Sequence, residues 1–208
     1  MPLLAREPEG GGDFGPRELI PEGLHDVICY SVYDLGTHAN EYNGQVKNQR
    51  KVLIQWEFPG IPVSEEDPRP KVKSRRFTLS LHEKATLRKI LQSWRGKAFT
   101  PEELEGFDIA NLVGVAAQVQ ILHGKGKTDP SKTYDNVENV LPPSGKLNGQ
   151  QPENPLVMFS FDDNGGDDLS EDTPEWIQNI IRDSQEWSAV PKEDPAPANP
   201  ANAPTKLF

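Results

Sequence analysis

The stretch Lys71-Val72-Lys73-Ser74-Arg75-Arg76-Phe77-Thr78-Leu79-Ser80-Leu81-His82, followed by Glu83-Lys84-Ala85-Thr86-Leu87-Arg88-Lys89-Ile90-Leu91-Gln92-Ser93-Trp94, contains the change of period that decides the fold. In its first half Phe77, Leu79 and Leu81 alternate with Thr78 and Ser80, the two-residue repeat of a strand over 72–81. From His82 onward Ala85, Leu87, Ile90, Leu91 and Trp94 share one face at helical spacing, and Glu83, Lys84, Arg88 and Lys89 take the other. A helix over 83–94 therefore follows the strand, with Ser80 and His82 as candidate caps.

Upstream, 24–33 consists almost wholly of β-formers, with Val27, Cys29, Ser31 and Tyr33 on one parity and Ile28, Tyr30 and Val32 on the other. A second strand over 51–58 carries Val52, Leu53, Ile54, Trp56 and Phe58 and stops at Pro59-Gly60. Downstream, Thr100-Pro101-Glu102-Glu103 has the composition of a capping box with proline in the first helical turn, and Asp108 to Leu112 adds a further turn. Alternation returns over 115–123, and 133–141 reads as a last strand of irregular phase. Three strands, a helix and two strands within about 120 residues is the chain order of a mainly β fold, a five-stranded Greek-key barrel of the oligonucleotide-binding (OB) type.

This organisation places an OB-type domain over 23–146, after a Pro/Gly/Glu-rich flexible arm over 1–22 and before an acidic region over 147–208. Within that last region 157–161 is an apolar island, and Thr173-Pro174-Glu175 opens a helix over 174–187 with Trp176, Ile177, Ile180, Ile181 and Trp187 as its stripe. Residues 190–204, rich in Pro, Ala and Asn, read as disordered.

The net charge of -10 is unevenly spread. Residues 1–22 carry two basic and five acidic side chains, 23–149 carry 17 and 15, and 150–208 carry three and 12, giving -3, +2 and -9. The middle of the chain is thus mildly basic despite the acidic average. Cys29 lies in an apolar run, which excludes a disulfide framework and implies a buried thiol in a reducing, cytoplasmic setting. No stretch has the length and apolarity of a membrane span or export signal.

Enzyme signals are weak. Gly124-Lys125-Gly126-Lys127-Thr128 resembles the end of a phosphate-binding loop, but Ile121 stands where the first glycine belongs and Asp129-Pro130 blocks the required helix. His25, His38, His82 and His123 are scattered, and Asp162-Asp163 and Asp167-Asp168 lie in a Gly/Asp-rich stretch, so neither a metal nor a cofactor is expected.

What stands out is cations interleaved with rings: Lys47, Arg50 and Lys51 before Trp56; Lys71, Lys73, Arg75 and Arg76 before Phe77; Lys125, Lys127 and Lys132 before Tyr134. Tyr33 and Tyr42 border the first interstrand loop. Cations that track phosphates and rings that stack on unpaired bases are the needs of single-strand binding, and OB folds bind on strands two and three and on loops one-two and four-five. These 15 residues are the candidate contacts, with Trp56, Phe77 and Trp94 the first rings to assign to packing instead.

The residues Lys84-Ala85-Thr86-Leu87-Arg88, Ser93-Trp94-Arg95-Gly96-Lys97-Ala98-Phe99-Thr100, Glu103, Gly106-Phe107-Asp108, Leu112 and Gly114 resemble a group of bacteriophage single-stranded DNA-binding proteins. The likeness continues through Gly126-Lys127, Tyr134, Pro174-Glu175-Trp176-Ile177, Ser184 and Glu186, and covers 23–187. It implies an OB-fold, non-enzymatic protein that coats single strands during phage DNA replication or recombination in the host cytoplasm, with Trp94 and Arg95 not carried over as contacts. It also implies phage or host replication partners for the acidic C-terminal tail, and leaves homo-oligomers open. Here Asp and Glu stop at Asp194 and Lys206 adjoins the terminal Leu207-Phe208, a departure from an acidic tip. The alternative is a protein-interaction module working through that acidic region.

Overall fold

Six strands form one antiparallel open sheet: β1 (Gly23–Tyr42), β2 (Gln45–Pro62), β3 (Pro70–Thr78), β4 (Ala116–Lys125), β5 (Thr133–Leu141) and β6 (Val157–Phe159). The strand order is β3-β2-β1-β4-β5, and β6 pairs with β1 off that path. The structure is a computed structural model and describes residues 18–42, 44–126, 129–164 and 169–189, Tyr42 and Asn164 by backbone alone. Of the flexible arm expected over 1–22, residues 1–17 lie outside the described residues, as does the stretch expected to be disordered over 190–204, while 18–22 are described and include the buried Ile20.

The described chain divides into two units, to which β1, β2, β3 and β6 all contribute. The first comprises the chain up to Val32, Ile54–Arg75 and Ser80–Val157; the second comprises Tyr33–Leu53, Arg76–Leu79 and the chain from Met158.

In the first unit β1 runs antiparallel to β4, with Gly23 opposite Ile121 and Ile28 opposite Ala116. β4 runs antiparallel to β5, with Lys125 opposite Thr133 and a register shift between Gln120 and Ile121. That shift is the physical source of the irregular phase of the last long strand. Helix α1 (Thr86–Arg95) buries Leu87, Ile90, Leu91 and Trp94 and packs on β5. Trp94 meets Trp56 with ring centroids 6.1 Å apart and donates its Nε1–H to Ala116 O at 3.0 Å.

The Trp-Arg-Gly element is thereby accounted for as architecture. The Arg95 guanidinium lies over the Phe99 ring at 4.5 Å and the Phe107 ring at 5.1 Å and pairs with Glu103. Glu103 closes the capping box of α2 (Pro101–Glu105) with Thr100, and Gly96 takes the left-handed conformation (φ 65°) that ends α1. Neither expected cap serves α1: its N-cap is Ala85, without a side-chain bond. Ser80 Oγ accepts from His82 N and His82 Nδ1 from Lys84 N, so both residues shape the turn before the helix.

The two edge strands of the open sheet are bridged by side chains in this unit. Lys73 on β3 pairs with Asp135 on β5, and Arg75 Nη1 donates to Val137 O at 2.7 Å and Glu138 O at 2.8 Å. Asp135 also accepts from Ile20 N at 2.9 Å, which anchors the entering chain, and Ile20 is fully buried. Burial pushes the Asp135 carboxyl up, but hydrogen bonds from Lys73 and the Ile20 amide outweigh it and hold it below the ordinary Asp value. A carboxylate with a depressed folded-state pKa contributes its full stability above the unfolded value, about 3.9, and loses it as pH falls through the folded value. Wild-type protein is therefore expected to lose stability on acidification below about pH 4 more steeply than Asp135→Asn, as urea unfolding at stepped pH would show.

The second unit buries Tyr33, Leu35, Val52, Leu53, Phe77 and Phe159. The expected helix over 174–187 is two helices, α4 (Glu175–Arg182) and α5 (Gln185–Ala189), after a short α3 (Phe161–Asn164). Ile177 and Ile181 of α4 are fully buried, so the acidic region supplies core to this unit. Among the described residues, no helix is long and apolar enough to cross a membrane.

Candidate nucleic-acid interface

A cleft of about 930 Å³ opens in the first unit between the two bridged edge strands. Its walls are Val72–Arg75 of β3 and Tyr134–Glu138 of β5, and its rim is Lys125 at the end of β4 with Gly126, Asp129 and Lys132 from the connection that follows. On β5 Asp135 and Val137 are buried while Tyr134, Asn136 and Glu138 are exposed, so strand parity alone turns the tyrosine ring outward. That ring is 44% exposed.

The rim is a hydrogen-bonded turn. Gly126 N donates to Lys132 O at 2.9 Å and Lys132 N to Asp129 O at 3.2 Å. The Asp129 carboxylate accepts from Ser131 Oγ and Ser131 N, which hold its pKa below the usual range. A Cβ on Gly126 would come within 2.8 Å of Tyr134 Cε2, so the glycine lets the turn lie against the ring.

Four cations and three carboxylates line this cleft: Lys73, Arg75, Lys125 and Lys132 against Asp129, Asp135 and Glu138. The cations divide by role. Lys73 and Arg75 serve the seam between β3 and β5. Lys125 is exposed and among the described residues bonds the neutral Thr133 Oγ1, at 3.2 Å, and Lys132 is 68% exposed with Asp129 3.9 Å away. These two are placed to exchange their present contacts for a phosphate.

The second and third expected clusters thus converge here in part, through Lys73, Arg75, Lys125, Lys132 and Tyr134. Lys71 is paired with Glu18 at 3.6 Å and is not in the lining. Three expected stacking rings are corrected: Trp56 (0% exposed), Phe77 and Tyr33 are core, because each lies on a strand segment covered on that face, and none has a side open to a base. Burial also raises the Tyr33 phenol pKa, against a partial lowering by Thr173.

The first cluster lies in the second unit. Arg50 is held between the buried Asp34 and Asp162, the latter at 2.9 Å, and its pKa is raised chiefly by the Asp34 bond. The Asp34 carboxylate also accepts from Phe161 N at 3.3 Å. Arg50 is therefore paired within the fold, as a clasp for α3. Lys47 and Arg76 are exposed, and Lys51 is half-buried. The Tyr42 side chain and all of Lys127 lie outside the described residues. Gly124 and Lys125 belong to β4, in keeping with a hairpin rather than a phosphate-binding loop.

Sequence reasoning missed Asn136 and the carboxylates Asp129, Asp135 and Glu138 in the lining. The alternation of 134, 136 and 138 was the available signal for two of these. Compared with known proteins, the chain matches no family model and no curated protein.

Proposed function

We propose that this chain binds single-stranded DNA with little sequence preference, without catalysis, in the cleft between β3 and β5. The observation that carries this reading is that the exposed Tyr134 ring lines the same cleft as Lys125, which bonds a neutral hydroxyl, and Lys132, whose ion pair with Asp129 is long and exposed. A ring face offers stacking to any base, and flexible ammonium groups meet phosphates without reading sequence. The near balance of charge in the lining makes stacking the larger share of affinity.

The strand order β3-β2-β1-β4-β5, with α1 inserted between β3 and β4 and packed on β5, supports an OB-type Greek-key barrel. In it the Lys73 and Arg75 bridges stand where strand pairing would close the barrel. Together with the phage-like motifs, this supports a role in protecting single strands during phage DNA replication or recombination.

Fluorescence anisotropy of a labelled thymidine oligonucleotide tests the reading. Binding is expected to weaken with salt at a shallow slope, about -0.7 for each phosphate neutralised and hence about -1.4 for Lys125 and Lys132 together. Absence of binding at micromolar protein and low salt would exclude it.

A second reading, a protein-docking role for the acidic region, is favoured by Trp176, which is 44% exposed on α4. Because Ile177 and Ile181 of the same helix are core, Trp176→Ala is the informative variant and removal of the region is not. Loss of biological function with unchanged DNA affinity would support this alternative.

A further inference from the structure

Lys51 and Arg76, both in the second unit, are distinguished by their neighbours. Seven basic groups among the described residues have a carboxylate partner, among them Arg50 with Asp34 and Asp162, Lys73 with Asp135, Arg95 with Glu103 and Lys146 with Asp26. Among the described residues no carboxylate pairs with Lys51 or Arg76, although the chain carries 32 Asp and Glu against 22 Lys and Arg.

The two cations share one face of the β2–β3 pair. Leu79 N donates to Arg50 O at 2.8 Å, which sets Lys51 beside Thr78, and Lys51 Nζ donates to Thr78 Oγ1 at 2.9 Å. Arg76 is two residues from Thr78 on the same strand and projects to the same side. Lys51 Nζ also donates to Gln49 Oε1 at 2.7 Å. Two neutral acceptors thus fix the ammonium, which has three protons, and leave one N–H to give. Partial burial, and after it the positive charge of Arg76, hold the Lys51 pKa below its usual value. Like charges drawn together on an exposed face are a local cost that an anion between them removes. An ammonium fixed by side-chain acceptors next to a planar guanidinium fork suits a tetrahedral oxyanion with several acceptor oxygens.

We propose that Lys51 and Arg76 form a phosphate-group site on the β2–β3 face of the second unit, filled by a phosphodiester of the bound single strand. The identity of the phosphate rests on the single-strand reading above; the existence of the site does not.

The test is an amide and Arg Nε–H NMR titration of the full chain, first with inorganic phosphate and then with a thymidine oligonucleotide. Both ligands are expected to shift Lys51, Arg76 and Thr78 resonances, and Arg76→Gln to abolish the phosphate response. In the same variant the salt slope of oligonucleotide binding is expected to fall in magnitude by about 0.7, one phosphate contact, with the Tyr134 resonances still responding. Arg76→Lys should restore part of the slope, and Lys51→Gln should reproduce the loss. Arg76 is exposed, so the variant's amide spectrum should otherwise match wild type.

A response to inorganic phosphate without one to the oligonucleotide would assign the site to free phosphate and overturn its filling by a strand. No response at these residues to either ligand, or a phosphate response unchanged in Arg76→Gln, would overturn the site itself. A response at Lys51 and Arg76 with none at Tyr134 would instead sustain this site and count against the cleft.

Discussion

Replacing Trp56 with alanine is expected to lower the unfolding free energy by about 3–5 kcal/mol, as for other large-to-small substitutions of buried aromatic residues. The side chain is 0% exposed, packs on Trp94 of α1, and lies on β2 where seven consecutive residues are buried. Removing it leaves a cavity beneath the helix, and neither β2 nor α1 is free to collapse into it. Trp56→Phe is expected to cost much less, because Trp56 Nε1 finds no acceptor among the described residues and the smaller ring forfeits no hydrogen bond. Trp94→Phe, by contrast, gives up the bond to Ala116 O. Urea unfolding of the three variants checks the order. If Trp56→Ala kept full stability and lost DNA affinity, Trp56 would be a contact residue after all.

Tyr134→Ala is expected to weaken oligonucleotide binding by about 1–3 kcal/mol, roughly 5-fold to 150-fold in Kd, the range for loss of one base–aromatic stack. Stability should change by less than about 0.5 kcal/mol, since the ring is 44% exposed and its strand is held by pairing to β4. Tyr134→Phe should bind almost as wild type, because the stacking face and not the hydroxyl makes the contact. Gly126→Ala is expected to act in the same direction as Tyr134→Ala, because its new methyl meets the ring edge and the Asp129 carbonyl. Anisotropy titrations at one salt concentration compare all four proteins. A large loss of affinity in Tyr134→Phe would point to hydrogen bonding in place of stacking.

The buried halves of the strands were legible because burial writes itself as apolar alternation, and the polar halves were not. β1 was expected to end at Tyr33 but continues to Tyr42 through Gly36, Thr37, His38 and Asn40, and β2 begins at Gln45 and not at Lys51. Backbone pairing holds polar strand ends as well as apolar ones, so hydrophobic periodicity carries no record of them. The Thr100 capping box was legible because it is local, and the Ala85 cap was not because no side chain makes it.

The site divides in the same way. Three basic clusters could be read along the chain, but pairing is a property of the fold: Lys73 finds Asp135 across 62 positions, and Arg50 finds Asp162 across 112. These partners give two of the expected contact residues a pairing within the fold that the sequence does not display. Tyr134 remained available because its strand parity faces away from the core, whereas Tyr33, Trp56 and Phe77 face into it.

Photocrosslinking of the full chain to an oligonucleotide containing 4-thiothymidine, with sequencing of the crosslinked peptides, tests the cleft most directly. Crosslinks are expected on Tyr134 and on the turn that carries Lys125 and Lys132, and should vanish in Tyr134→Ala at matched protein concentration. Crosslinks confined to α4 and α5, or none within 72–75 and 125–138, would contradict binding between β3 and β5.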